Sequence, residues 1–142
     1  MRWLFFFTVF FSLLGGEVSH AYIVAVPVDQ PELDYDKPTR VLVPGRGTDL
    51  GLLPQMTALS RAAVYKRNFP NEQIVLISVL ENKYNKRFLA NAGWKLIIEN
   101  KVTLETKTVI SEAKKFNAIR SFELFSHSSP TRGFQMDGTS HV

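Results

Sequence analysis

The chain has 142 residues, is 45% hydrophobic and 21% charged, and carries a net charge of +4. That length accommodates one domain, and the composition is that of a globular protein rather than a disordered or collagen-like one. There is no cysteine, which excludes a disulfide framework, a thiolate metal site, an iron–sulfur cluster and a cysteine nucleophile.

Residues 1–21 (MRWLFFFTVFFSLLGGEVSHA) read as a secretory signal peptide. Arg2 supplies the positive start, an apolar run follows from Leu4 to Leu14, and Ser19 and Ala21 are the small residues of a cleavage site. The run is about half the length that a membrane-spanning helix needs, so no retained transmembrane helix is expected. Export to the periplasm or the extracellular space is the implied destination. Removal of the leader takes Arg2 and Glu17 together and leaves the net charge at +4. It also takes Phe5, Phe6, Phe7, Phe10 and Phe11, so much of the aromatic content belongs to targeting rather than to a core.

Residues 22–38 contain Pro27, Pro31 and Pro38 among Asp29, Glu32, Asp34 and Asp36. Repeated prolines and local acidity predict an extended arm, with an edge strand over 22–26 as the alternative. The α/β domain is expected over 39–142.

Within it, Arg40-Val41-Leu42-Val43 predicts a strand closed by the Pro44-Gly45-Arg46-Gly47 turn. Pro54 suits the first turn of a helix over 54–68, with Met56, Leu59, Ala63 and the stem of Lys66 on its inner face. QIVLISVL at 73–80 is a continuous apolar run, as in a strand covered on both faces. A weaker helix follows over 82–92, ended by Gly93. WKLIIENKV at 94–102 predicts a strand. The next helix starts at a Thr103 cap and turns Val109, Ala113 and Phe116 inward, with Ile110 beside them. SFELF at 121–125 predicts a further strand, and 133–136 a short one. This alternation predicts a three-layer αβα domain with a mostly parallel sheet of four strands, helices on both faces, and ligand loops beyond the carboxyl ends of the strands.

Two such loops carry chemistry. In 44–51, Gly45 and Gly47 let backbone N–H groups approach an anion, Arg46 offers a charged finger and Asp49 an acid, so Gly45, Arg46, Gly47 and Asp49 are the expected substrate-binding residues. The spacing matches neither the Walker loop nor the dinucleotide-binding glycine pattern, and no cofactor is expected. In 126–132, His127 stands just past an apolar strand, where an imidazole is well placed as a general base.

The segment SFELFSHSS at 121–129, after a helix and before Gly133, resembles the histidine-bearing segment of caspase-like cysteine peptidases. Across residues 40–138 the resemblance implies a histidine at the end of a core parallel strand and a cysteine at the end of the next. His127 takes the base position, Ser128 stands where the family usually has glycine, and the cysteine is absent. The resemblance therefore implies a truncated or non-catalytic hydrolase relative. Ser128 is also similar to the central serine of the G-x-S-x-G elbow of α/β-hydrolases, with Ser126 and Pro130 in place of the glycines and Asp137 and His141 following. That likeness implies a serine esterase with Ser128 as nucleophile.

A third reading is a secreted or envelope binding module without catalysis. Lys66, Arg67, Lys83, Lys86 and Arg87 would give it a basic face toward anionic envelope surfaces or a protein partner. No metal-ligand spacing and no nucleic-acid-binding motif accompanies them.

Overall fold

The structure is a computed structural model that describes residues 21–45, 52–80, 83–100, 106–129 and 133–135. The leader lies outside these residues. The elements in chain order are β1 (Ala21–Pro27), β2 (Thr39–Pro44), α1 (Leu53–Asn68), β3 (Gln73–Leu80), α2 (Lys83–Asn91), β4 (Trp94–Asn100), α3 (Thr106–Ala113), β5 (Ile119–Phe125), β6 (His127–Ser129) and β7 (Gly133–Gln135). Five strands form one sheet in the order β4-β1-β3-β2-β5, and β6 and β7 form a separate antiparallel ribbon.

The sheet is mixed, not mostly parallel. β2 runs parallel to β3 and β5, whereas β1 is antiparallel to both of its neighbours, β3 and β4. The difference from expectation lies in β1. The strand that is the alternative to an arm over 22–26 forms, but inside the sheet rather than at its edge, with Tyr22 to Val26 buried. The cause is plain in hindsight: YIVAV is a continuous apolar run, and such a run is stable only with both faces covered. Pro27 is no obstacle, because it falls at the last residue of the strand.

Alternation sorts the strand residues onto two faces. Val24, Val26, Val41, Val43, Val75 and Ile77 face α3, which closes that side with Val109 and, just past its end, Phe116. Ile23, Ala25, Leu42, Ile74 and Leu76 face the other side, covered by Ala58 and Ala62 of α1 and by Leu89 of α2. The connections explain this division. From β2 through β3 to β4 the chain moves one way across the sheet, and from β4 to β5 it moves back. With crossovers of one hand, α3 must lie opposite α1 and α2.

α1 begins with Pro54 in its first turn and carries Lys66 and Arg67 in its last, where they suit the helix dipole. Its buried stripe is Pro54, Gln55, Ala58 and Ala62; of the expected inner residues Leu59 is partly buried against the same cluster, whereas Ala63 is exposed and Met56 is 53% exposed. The small alanines let the helix axis approach the sheet closely. Gly93 closes α2 as expected, with the positive φ of 78° that only glycine adopts freely. In β4, Val24 and Ala25 pair with Ile98 and Leu96, so Ile97 is the extra residue of a bulge.

The segment between β1 and β2 is tied down rather than free. Gln73, fully buried at the start of β3, accepts hydrogen bonds at Oε1 from Gln30 Nε2 (3.1 Å) and the Asp34 N–H (2.7 Å). Its Nε2 donates to the Asp34 carbonyl and to Thr39 Oγ1, both at 2.8 Å. Lys95 Nζ donates to the Pro31 carbonyl, the Asn117 N–H donates to the Tyr35 carbonyl, and the Tyr35 ring packs on Phe116 with centroids 5.2 Å apart. Among the described residues, no helix is long and apolar enough to cross a membrane.

Candidate functional site

β2, β3, β4 and β5 point the same way, so their carboxyl ends share one edge of the domain. Here the structure brings the start of one loop singled out in the sequence to the strand end from which the other leaves. The Gly45 N–H donates to the Phe125 carbonyl at 2.8 Å, continuing the β2–β5 ladder by one residue past the Pro44–Phe125 pair. Gly45 therefore lies against the start of the segment that carries His127 and Ser128.

Beneath Gly45 sits Gln55, in the first turn of α1 and only 4% exposed. Its Nε2 donates a long, weak bond (3.4 Å) to the Gly45 carbonyl, while its Oε1 has no hydrogen-bond partner. A buried carbonyl acceptor without a donor is costly, and such groups are uncommon in folded proteins. Ser78, likewise buried, extends Oγ to within 3.5 Å of the Pro44 carbonyl. The end of β2 is thus surrounded by neutral polar groups, with one acceptor unused.

His127 and Ser128 lie in β6, where their backbones pair with Gln135 and Phe134. Two consequences follow. His127 stands two residues beyond the end of β5, a strand parallel to β2. Ser128 does not stand at a strand-to-helix elbow: it is the middle residue of a strand that belongs to a hairpin. A hydrolase nucleophile stands instead at a sharp strand-to-helix turn. Arg46, Gly47 and Asp49, together with Asp137 and His141, lie outside the described residues.

A charged cluster ties α1 to β2 and β5. Glu123 of β5 accepts from Arg61 Nε at 2.9 Å and from the Tyr65 hydroxyl on its other oxygen. Arg40 of β2 pairs with Glu72, and its guanidinium lies over the rings of Tyr65 (4.5 Å) and Phe69 (3.7 Å). Both oxygens of Glu123 are engaged, so this carboxylate clamps α1 to β5 and is not a free base. The expected basic face is partly neutralised: Lys66 pairs with Asp29 at 2.6 Å and Lys86 with Glu99.

On the opposite face of the sheet, the Tyr22 hydroxyl donates to Glu112 Oε1 at 2.7 Å, and Lys115 Nζ reaches both oxygens of Glu112 at 2.8 Å. Burial, then the Glu112 carboxylate, raises the Tyr22 pKa above its ordinary value; the hydrogen bond to Glu112 raises that of Lys115. This triad fastens α3 to β1.

Sequence reasoning passed over Gln55, Ser78 and Glu123. Ser78 carried a signal, as the one hydroxyl in QIVLISVL. Gln55 carried less, since a polar residue after Pro54 reads as an ordinary solvated first turn. Among the described residues, no group of three or more histidine or acidic side chains is placed to hold a metal ion. Compared with known proteins, the chain matches no protein-family model, no curated protein and no solved structure.

Proposed function

We propose that this is an exported, non-catalytic relative of the caspase-like hydrolases that binds an extended peptide segment at the carboxyl ends of β2 and β5. The observation that carries the reading is the unpartnered Gln55 Oε1, buried under a Gly45 that is bonded to Phe125. An acceptor in that position is completed by a ligand that brings an N–H group, and a peptide main chain offers one at each residue other than proline. The absence of cysteine from the chain favours binding without peptide cleavage. Export rests on the leader. Cleavage after Ala21 removes only the first residue of β1, so the domain survives processing whole.

The test is a titration of the isotope-labelled full chain with a pool of end-capped tetrapeptides, followed by NMR and mass spectrometry. Saturable shifts at Gly45, at the Gln55 side-chain amide and over residues 125–129, lost in Gln55→Leu with the peptides intact, are the expected result. Shifts that persist in Gln55→Leu overturn the site. Peptide hydrolysis overturns the non-catalytic assignment.

A further inference from the structure

A concavity lies at the opposite end of the sheet, beside the amino ends of β2 and β3. It measures about 300 Å³, the lower end of the range for small-ligand pockets. Pro27 and Ile74 are buried at its base, and Pro31, Phe69 and Pro70 give it further apolar wall. Two basic residues, Lys37 and Lys66, line the same space.

We propose that this cavity binds a small organic carboxylate with a flat apolar body, its carboxylate on Lys37 and Lys66 and its body against Phe69 and the prolines. Three features support this. The first is charge. Asp29 is matched to Lys66 and Glu72 to Arg40, which leaves Lys37 as the cavity's uncompensated charge; among the described residues it makes no hydrogen bond or ion pair through its side chain. The loop's other acids, Glu32, Asp34 and Asp36, are not among the residues lining the cavity; Asp34 accepts from the Asp36 N–H and Asp36 from Asn117.

The second feature is preorganisation. A surface loop with two prolines would ordinarily lose entropy on closing around a ligand. This one is already held by the four bonds of buried Gln73 and by Gln30, whose Oε1 accepts from the Ile74 N–H at 3.1 Å. Lys37 is itself anchored, because its carbonyl accepts from Thr39 Oγ1 at 2.7 Å. The third feature is the ring. The Arg40 guanidinium holds Phe69 from one side at 3.7 Å, fixing the aromatic wall in place.

Asp29 gives the proposal a specific signature. It competes with an incoming carboxylate for Lys66, so removing its charge should strengthen binding while removing Lys37 should weaken it.

The experiment is an NMR titration of the full chain with sodium phenylacetate, alongside phenethylamine and acetate. Phenylacetate should saturate at low-millimolar concentration, on the order expected for about ten heavy atoms, with shifts at Gln30, Lys37, Phe69 and Glu72. Lys37→Ala should weaken it at least ~10-fold and Asp29→Asn tighten it ~3-fold. Acetate, without the apolar body, should bind more weakly than phenylacetate. Lys37 makes no side-chain bond, so its variant keeps the fold, and an unchanged spectrum outside the cavity verifies this. Equal or tighter binding of phenethylamine, phenylacetate affinity unaffected by Lys37→Ala, weaker binding in Asp29→Asn, or no saturation would each overturn the proposal.

Discussion

Replacing Gln73 with leucine isolates what holds the loop between β1 and β2. The side chain is fully buried and makes four hydrogen bonds, to Gln30, to both backbone groups of Asp34 and to Thr39. At about 1 kcal/mol net for each neutral bond, the ceiling is about 4 kcal/mol. Part of that is recovered. Asp34 is exposed and Gln30 half-buried, so their freed groups regain water, and Thr39 Oγ1 still donates to the Lys37 carbonyl. The expected loss is therefore about 2–3 kcal/mol, a large share of the stability of a domain of this size. It corresponds to a fall of about 10 °C in Tm. Urea denaturation should show a lower midpoint with an unchanged slope, and hydrogen exchange should show the Asp34 amide losing its protection. A loss below about 0.5 kcal/mol with the Asp34 amide still protected would refute the reasoning, because Lys95 and Asn117 would then suffice to hold the segment.

Further outcomes follow from the packing and the buried polar groups. Leu76→Ala, at a fully buried position in the centre of the sheet, should cost about 2–4 kcal/mol by chemical denaturation. Tyr22→Phe should cost about 1–2 kcal/mol, since it breaks a bond to a carboxylate that Lys115 continues to satisfy. Tyr22 and Lys115 both hold their protons more tightly in the fold than in the unfolded chain. Their contribution is therefore complete below about pH 10 and declines as pH rises through the raised folded values. Alkaline unfolding should be shallower in Tyr22→Phe, as followed by circular dichroism. Gln55→Leu should stabilise the chain by about 1 kcal/mol in thermal denaturation, because it removes an unpaired buried acceptor at the loss of one long bond.

Most of the elements were legible in the sequence, and the sheet's directions were not. QIVLISVL spans the observed β3 without a residue's difference, and the bounds of α1 and α2 and the start of β4 differ from expectation by a residue at most. These segments declare themselves because their periodicity and their Pro and Gly stops agree. β1 is legible only as an edge strand, the alternative to an arm; its interior place and reversed direction were not legible, because a strand buried on both faces looks the same in either direction. α1 misled in another way. Its buried alanines contribute little hydrophobicity, so the pattern favoured the larger Met56 on the wrong side. At the site, the position of Gly45 at the end of a strand followed from the turn signal of 44–47. Its pairing with Phe125 and the Gln55 acceptor did not, since strand order and an unpaired buried atom are properties of packing in three dimensions.

The position of β1 also bears on the order of events during synthesis. Ala21 is paired with Leu80 and Tyr22 with Asn100, so the first strand made has no neighbours until most of the chain exists. Non-local pairing of this kind slows folding and leaves an apolar strand uncovered meanwhile. Such a delay is a hazard for a chain that must fold where it is made. For a chain threaded through a membrane in extended form, as proposed here, the delay keeps it in a transportable state until residue 100 has followed.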